Sequence, residues 1–217
     1  FIGKDNIPFH SIIWPAILMG FSDLNLPHDI PANEFLTMQG DQLSTSRNWA
    51  VWVPDFLERY EADPLRYYLS INMPETSDSD FTWHDFVRRN NDELVGTYGN
   101  LVNRVLTLIQ KLEGGVIPFP KDQDKIDEEL ITHINGAFQE AGKHLENRRF
   151  RQSIRTSMTL ANSVNKYLEV KSPWKKEAQS VSTTLWSCSL ALSALAIMTY
   201  PFLPFSAPKL FSMLGFK

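Results

Sequence analysis

Cysteine is almost absent from this chain: Cys188 stands alone in an apolar run. A single thiol excludes an internal disulfide and a cysteine-built zinc cluster, and it fits a reducing compartment better than a secreted one. Positive charge is not in surplus either. With a formal net charge of −4, no general basic field advertises nucleic acid, so any such contact has to come from a local patch. There is no internal repeat and no low-complexity tract. The opening residues lack a basic stretch followed by a long apolar run, so no signal peptide is read there. The first residue is Phe1, and the chain reads as a piece of something longer. Charge vanishes altogether between Glu177 and Lys209, a run long enough to span a bilayer. Serines and threonines interrupt that run throughout, and Pro201 and Pro204 fall in its apolar part. A buried helix is therefore expected, not a membrane span.

What is present is ordinary for a globular protein: 217 residues, 43% hydrophobic and 21% charged, enough for one large domain or two small ones. Residues 1–80 read as mixed α/β. Phe1-Ile2-Gly3 reads as a strand end, and Phe9 to Met19, apolar on several faces, reads as a buried helix near Pro15. Glu34 to Gln39 is a strand candidate, and Gly40-Asp41 is a turn signal. Gln42 to Arg47 forms a polar loop, and Asp63-Pro64 reads as cap and first position of a helix through Met73. Pro74 to Asp80 is a polar connector, where the domain boundary is placed.

Residues 81–217 read as helical. The first helix opens at Thr82, with Asp85 in the capping-box position, and closes at Gly114-Gly115. Leu94, Tyr98, Leu101, Val105, Leu108 and Leu112 give it one apolar face. Asn100 and Arg104 lie one turn apart on a polar stripe. An amide beside a guanidinium can read base edges, although a plain solvated face has the same spacing. Further amphipathic helices are marked by Ile126 to Leu145, by Phe150 to Leu168 and by the run ending near Tyr200, with a short terminal helix after Pro204. Ser172-Pro173-Trp174 reads as a cap-and-proline start for the fourth helix. Short loops between such helices imply an antiparallel bundle.

Three groups of residues suggest sites. Gly3-Lys4-Asp5 at a strand end suits a nucleotide, with Gly3 admitting close approach and Asp5 holding ribose hydroxyls, though the same residues also make a plain turn. A lone His10 comes shortly after. The Ser44-Thr45-Ser46-Arg47 loop offers hydroxyls, N–H groups and a cation to phosphate, or is simply a polar loop. Trp174, after a proline and among Lys171, Lys175 and Lys176, combines an aromatic face with a local basic patch. That pairing suits a single-stranded RNA loop, or else the indole packs in the core.

The blocks "FIGKDNIPFHSIIWPA", "LTMQGDQLSTSR", "EADPLRYYL", "NLVNR" and "NKYLEVKSPW" together resemble the second half of the methionyl-tRNA synthetases, a class I family. The likeness runs through essentially the whole chain, with the blocks in the family's order. It implies a mainly α fold with a small α/β part. Residues 1–80 would be the end of a Rossmann catalytic core and a connecting fold carrying the signature loop, and residues 81–217 an antiparallel α-helical anticodon-binding bundle. The parent would be a cytoplasmic methionine–tRNA ligase that activates methionine with ATP and passes it to the methionine tRNA. By that resemblance Gly3, Asp5, Gln42 and Leu43 would bind ATP, and Ser44, Thr45, Ser46 and Arg47 would act in catalysis. His10 would border the methionine pocket, and Asn100, Arg104, Pro173 and Trp174 would meet the anticodon. ATP would come with Mg2+ as substrate. No metal ligand is expected in this chain, and any zinc would belong to the N-terminal half. That half, with the tRNA, would be the partner, and no membrane is implied. The alternatives are a free-standing tRNA-binding module without catalysis, or a related class I synthetase.

Two departures stand out. Gln42 and Thr45 occupy the lysine positions of the family's Lys-Met-Ser-Lys-Ser loop, and Asn48 replaces the glycine after the arginine. The lost lysines would otherwise supply preorganised charge to the leaving pyrophosphate.

Overall fold

The computed structural model describes residues 2–175 and 180–216, which fall into two compact units. Phe1, Lys176 and Glu177 lie outside the described residues.

The first unit comprises the chain up to Trp52 together with Asn72–Thr82. Strand β1 (Ile2–Gly3) pairs in parallel with β2 (Ala32–Asn33). Between them run a 3-10 turn, Lys4–Asn6, a π-helical turn, Phe9–Ile13, and helix α1, Trp14–Phe21. Strand β3 (Leu36–Met38) sits between β4 (Asp41–Gln42), antiparallel to it, and β5 (Ser79–Phe81), parallel to it. The expected turn is present. Gln39 and Gly40 both have positive φ, and the Gly40 N–H is anchored to the Asp80 carboxylate.

The expectation for Phe9 to Met19 was only half right. The segment is helical, but none of its residues is buried, and Phe21 beyond it is 77% exposed. An apolar pattern on several faces records the environment a helix is suited to; no described residue supplies that cover.

The second unit holds Val53–Ile71 and everything from Trp83 onward. Its elements are α2 (Val53–Leu57), α3 (Ala62–Ile71), α4 (Trp83–Arg89), a π-helical stretch Asn90–Gly99, α5 (Asn100–Leu112), α6 (Lys125–Glu146), α7 (Phe150–Lys171), α8 (Val181–Thr199) and α9 (Ser206–Met213). Of the expected apolar face, Leu112 is exposed and Leu94 and Leu108 only pack against the core; Ile109, outside that expectation, takes the third buried position of α5 beside Leu101 and Val105. These three meet Ile154, Val164 and Leu168 of α7 and Leu185, Leu192 and Leu195 of α8. Each such leucine contributes about 1.5–3 kcal/mol by leaving water. Helix α8 is apolar and long enough to cross a membrane by composition, yet it forms the centre of this core. Its Cys188 thiol is fully enclosed, and burial pushes its pKa up to about 12, so it stays protonated and inert.

Helices α6 and α7 run antiparallel. Ser153 Oγ near the start of α7 donates to the Ala141 carbonyl near the end of α6, while Tyr167 near the end of α7 donates to Asp127 at the start of α6. Asp124 caps α6 by a full capping box with Asp127.

Helix α3 groups with the bundle, whereas the boundary drawn from sequence lay after it. The reason is a set of long-range contacts. Tyr67 and Ile71 enter the bundle core, and Arg66 donates to the carbonyls of Pro201 and Phe202 at 2.8 and 3.1 Å. The Asp63 carboxylate accepts from the Phe205 and Ser206 N–H groups, at 3.4 and 2.7 Å. Asp63 lies inside the first turn of α3, so its best-defined capping role is at the start of α9, not α3.

Ser172 also departs from its reading. It does not open α8; it closes α7 in the left-handed conformation (φ 42°), with its N–H on the Leu168 carbonyl and its Oγ on the Glu169 carbonyl. The Ser-Pro pair reads as a start signal only if the helix before it has already ended, and α7 runs to Lys171.

Candidate anticodon interface and nucleotide loop

Asn100 is the first residue of α5 and is exposed; Arg104 stands one turn further on. The guanidinium of Arg104 pairs with Glu169 of α7 at 2.5 Å and lies over the indole of Trp174, 5.5 Å from its centre. Trp174 is 44% exposed, and Glu169 has 60% of its side chain in water. Pro173 is buried, which leaves the indole as the outward part of the turn. The structure therefore brings Arg104 and Trp174 together from elements about seventy residues apart, with Asn100 one turn before the arginine. An indole backed by a cation offers a stacking surface for a base, and the neighbouring amide and guanidinium offer edge contacts.

The basic patch around Trp174 is smaller than its composition suggests. Lys171 is not available to phosphate: its Nζ lies 2.7 Å from both Asp124 and Asp127, and only 8% of its side chain is exposed. Burial alone would lower its pKa, but the hydrogen bonds that Lys171 donates to Asp124 and Asp127, with the charge of both carboxylates, outweigh this and raise it. Lys175 is exposed. Sequence reasoning missed Glu169, Asp127 and Tyr167 as neighbours of this site. Tyr167 and Lys171, four apart at the end of α7, were the available signal.

In the first unit Gly3 and Asp5 do come together. A Cβ at Gly3 would stand 2.7 Å from Asp5 Oδ1, so a larger residue there would make the exposed Asp5 carboxylate turn aside. Lys4 is committed elsewhere, bridging Glu34 and Asp78 at 2.6 and 2.7 Å and lying over Phe35. The Asp78 and Glu34 hydrogen bonds raise its pKa. His10 Nδ1 is 3.0 Å from the Asn6 carbonyl, which can only accept, so that nitrogen carries the hydrogen. Its ring meets those of Phe9 and Trp14 edge-on.

The Gln42 to Arg47 segment is a closed hairpin. Ser44 and Trp49 exchange both backbone hydrogen bonds, and the Asn48 N–H returns to the Thr45 carbonyl. Ser44 Oγ lies 3.2 Å from Ser46 Oγ and accepts from the Arg47 N–H. Gln42, Leu43, Thr45 and Ser46 are exposed. Arg47, the loop's cation, is folded back so that Nη2 donates to the Gln42 carbonyl at 3.1 Å. Asn48 has φ 51°, the left-handed region, which explains why a glycine suits this position and why asparagine is the tolerated substitute. Its Oδ1 also accepts from the Trp52 ring at 2.7 Å. Among the described residues no group of three or more His, Cys, Asp or Glu side chains could hold a metal ion.

Residues 1–106 match the family model described as tRNA synthetases class I (M), and residues 127–217 match the anticodon-binding domain of tRNA ligase. The methionine–tRNA ligase of Thermomicrobium roseum is 50% identical over 221 aligned residues, covering all of this chain and 38% of that protein. The chain belongs to the methionyl-tRNA synthetase family. Among its other relatives, the methionine–tRNA ligase of Bacillus cereus is 43% identical, over 98% of this chain and 39% of its own length. The crystal structure of Mycobacterium tuberculosis methionyl-tRNA synthetase bound by methionyl-adenylate superposes with a TM-score of 0.91 at 28% identity, covering all of this chain and 44% of that one. The chain thus spans about two fifths of the length of the synthetases it matches.

Proposed function

We propose that this chain is the part of an ATP-dependent methionine–tRNA ligase that reads the anticodon of the methionine tRNA and carries the signature loop. The observation behind this reading is the half-buried Arg104 over the exposed indole of Trp174, with the exposed Asn100 one turn away. A base of the CAU anticodon stacks on Trp174, and Arg104 and Asn100 take its hydrogen-bonding edge. Pro173 acts from below by holding the turn. In the first unit, Gly3, Asp5, Gln42 and Leu43 contact ATP, supplied with Mg2+ as substrate, and Ser44 to Arg47 act on its phosphates. His10 borders the methionine. Any zinc sits in the portion of the longer synthetases that this chain does not span. That portion is also the natural cover for the bare apolar surface of Phe9–Phe21. The setting is the cytoplasm.

The test is binding of RNA hairpins to the 217-residue chain. A CAU loop should bind more tightly than loops changed at each anticodon position; equal affinity for all loops would overturn the assignment. A second reading, a tRNA-binding module without catalysis, is favoured by one observation: the loop's cation is turned onto the Gln42 carbonyl and both lysine positions are neutral. Methionine-dependent pyrophosphate exchange by the complete parent protein would exclude it.

A further inference from the structure

We propose that Asp127 is a positioning residue for RNA binding: it fixes the last turn of α7, and through it the turn that presents Trp174. The inference rests on the reading that Trp174 meets an anticodon base.

Asp127 has no exposed surface, yet its carboxylate serves two helices. Oδ2 accepts the Asp124 N–H at the start of α6, 3.0 Å away. Oδ1 accepts the Tyr167 hydroxyl at 2.6 Å and pairs with the Lys171 ammonium at 2.7 Å. Lys171 is held a second time by Asp124, and its Nζ lies 5.7 Å from the centre of the Tyr167 ring. An aspartate at the third position of a helix ordinarily faces water and serves only its own cap. Here it is sealed in and ties the first turn of α6 to the last turn of α7.

The residues after Lys171 leave little freedom to undo that tie. Ser172 is locked by its N–H on Leu168 and its Oγ on Glu169, Pro173 is buried, and the Lys175 N–H closes back on the Ser172 carbonyl. Trp174 is therefore carried as a rigid extension of α7. The same last turn carries Glu169, which holds Arg104 over the indole. Both halves of the stack are thus referred to one turn of helix, and Asp127 sets where that turn sits. A buried ion pair is a weak source of net stability compared with apolar packing, and its best-attested use is to fix register.

The test uses the 217-residue chain labelled with 5-fluorotryptophan, the Trp174 fluorine resonance being assigned by its loss in Trp174→Phe. In Asp127→Asn that resonance should shift or broaden well below the melting temperature. Affinity for a CAU hairpin should fall about tenfold, and the preference for CAU over a changed loop should shrink with it. Glu129→Gln, on the exposed side of α6, should alter neither. Because Asp127→Asn leaves Lys171 half-paired, Asp127→Asn/Lys171→Met provides a neutral version of the site that should fold and show the same two effects. An unmoved Trp174 resonance with unchanged hairpin affinity in either folded variant would overturn the proposal. If Trp174→Ala itself leaves CAU binding intact, the anticodon reading fails and takes the RNA role of Asp127 with it. A displaced Trp174 resonance in Asp127→Asn then still identifies the mechanical link, so the two failures are distinguishable.

Discussion

Arg104 on α5 lies over the ring of Trp174, 5.5 Å from its centre, while the same guanidinium is paired with Glu169. The indole therefore has a cation over its ring while 44% of the residue remains in water. Trp174→Ala should weaken a CAU hairpin by about tenfold, since stacking on one aromatic contributes about 1–3 kcal/mol per base. Thermal stability should change little, because an exposed cation–π contact supplies only about 0.5–1 kcal/mol. Arg104→Ala should lose base selectivity along with affinity. Titrating both variants with matched and changed loops checks this, and a uniform loss across all loops would reduce Arg104 to a phosphate contact.

Arg47 gives one Nη2 hydrogen to the Gln42 carbonyl and keeps its other guanidinium donors, which on the proposed reading serve phosphate. In the complete parent enzyme, Arg47→Ala should lower the rate of methionine activation with little change in tRNA affinity. Gln42→Lys with Thr45→Lys should raise it, because charge is what the loop lacks. Pyrophosphate-exchange rates beside hairpin binding constants separate the two effects; equal exchange rates for Arg47→Ala and the unmodified enzyme would count against it.

Asn48 occupies a left-handed position and accepts from the Trp52 ring. Asn48→Gly keeps the conformation and loses the hydrogen bond, so it should change stability by only about 0.5–1 kcal/mol. Asn48→Ala loses both and adds about 1–2 kcal/mol of left-handed strain. Amide exchange at Ser44 and Trp49, whose mutual hydrogen bonds close the loop, should be fastest in Asn48→Ala and near normal in Asn48→Gly.

The Lys171 hydrogen bond, aided by the backbone donors at Asp127 and Ile126, holds the Asp124 carboxyl below its usual pKa of 3.8. A folded pKa lowered in this way adds stability above the unfolded value and loses it as pH falls through the folded one. Asp124 is more than half exposed, so the contribution after screening is about 0.2–1 kcal/mol. Asp124→Asn keeps a good cap but has no charge to titrate. Its urea midpoint should therefore drop less than that of the unmodified chain as pH is taken from neutral to below 3.8. Parallel curves for the two proteins would contradict this.

Much of the bundle was legible because its signals are local. Tyr98, Leu101 and Val105 declare an inward face by spacing alone, though Leu112 of the same expected face is exposed, and α6 and α7 begin within one residue of the first apolar marker of each. What escaped depends on residues far apart in the chain. Nothing near Asp63 says that it will cap α9, nor does anything near Lys171 say that two aspartates, Asp124 and Asp127, will take it out of solvent. The helix at Phe9–Phe21 shows the opposite failure, since a burial pattern is legible even where no described residue supplies cover. For the candidate site, Asn100, Arg104 and Trp174 could be named from sequence. The partners that set their geometry could not.

The π-helical stretch Asn90–Gly99 directly precedes Asn100, and its wider turns take up more residues than an ordinary helix would over the same rise. Asn165 of α7 donates to the Thr97 carbonyl within it, and the Gly96 position has no room for a side chain against the Asn91 carbonyl. A stretch of this kind makes chain length locally negotiable. Deleting one exposed residue such as Val95 would let the backbone tighten toward α-helical pairing while Leu101 and Val105 kept their inward aim. The same deletion inside α5 would instead rotate Arg104 by about 100° away from Trp174. Single-residue deletions are thus absorbed on one side of Asn100 and are damaging on the other.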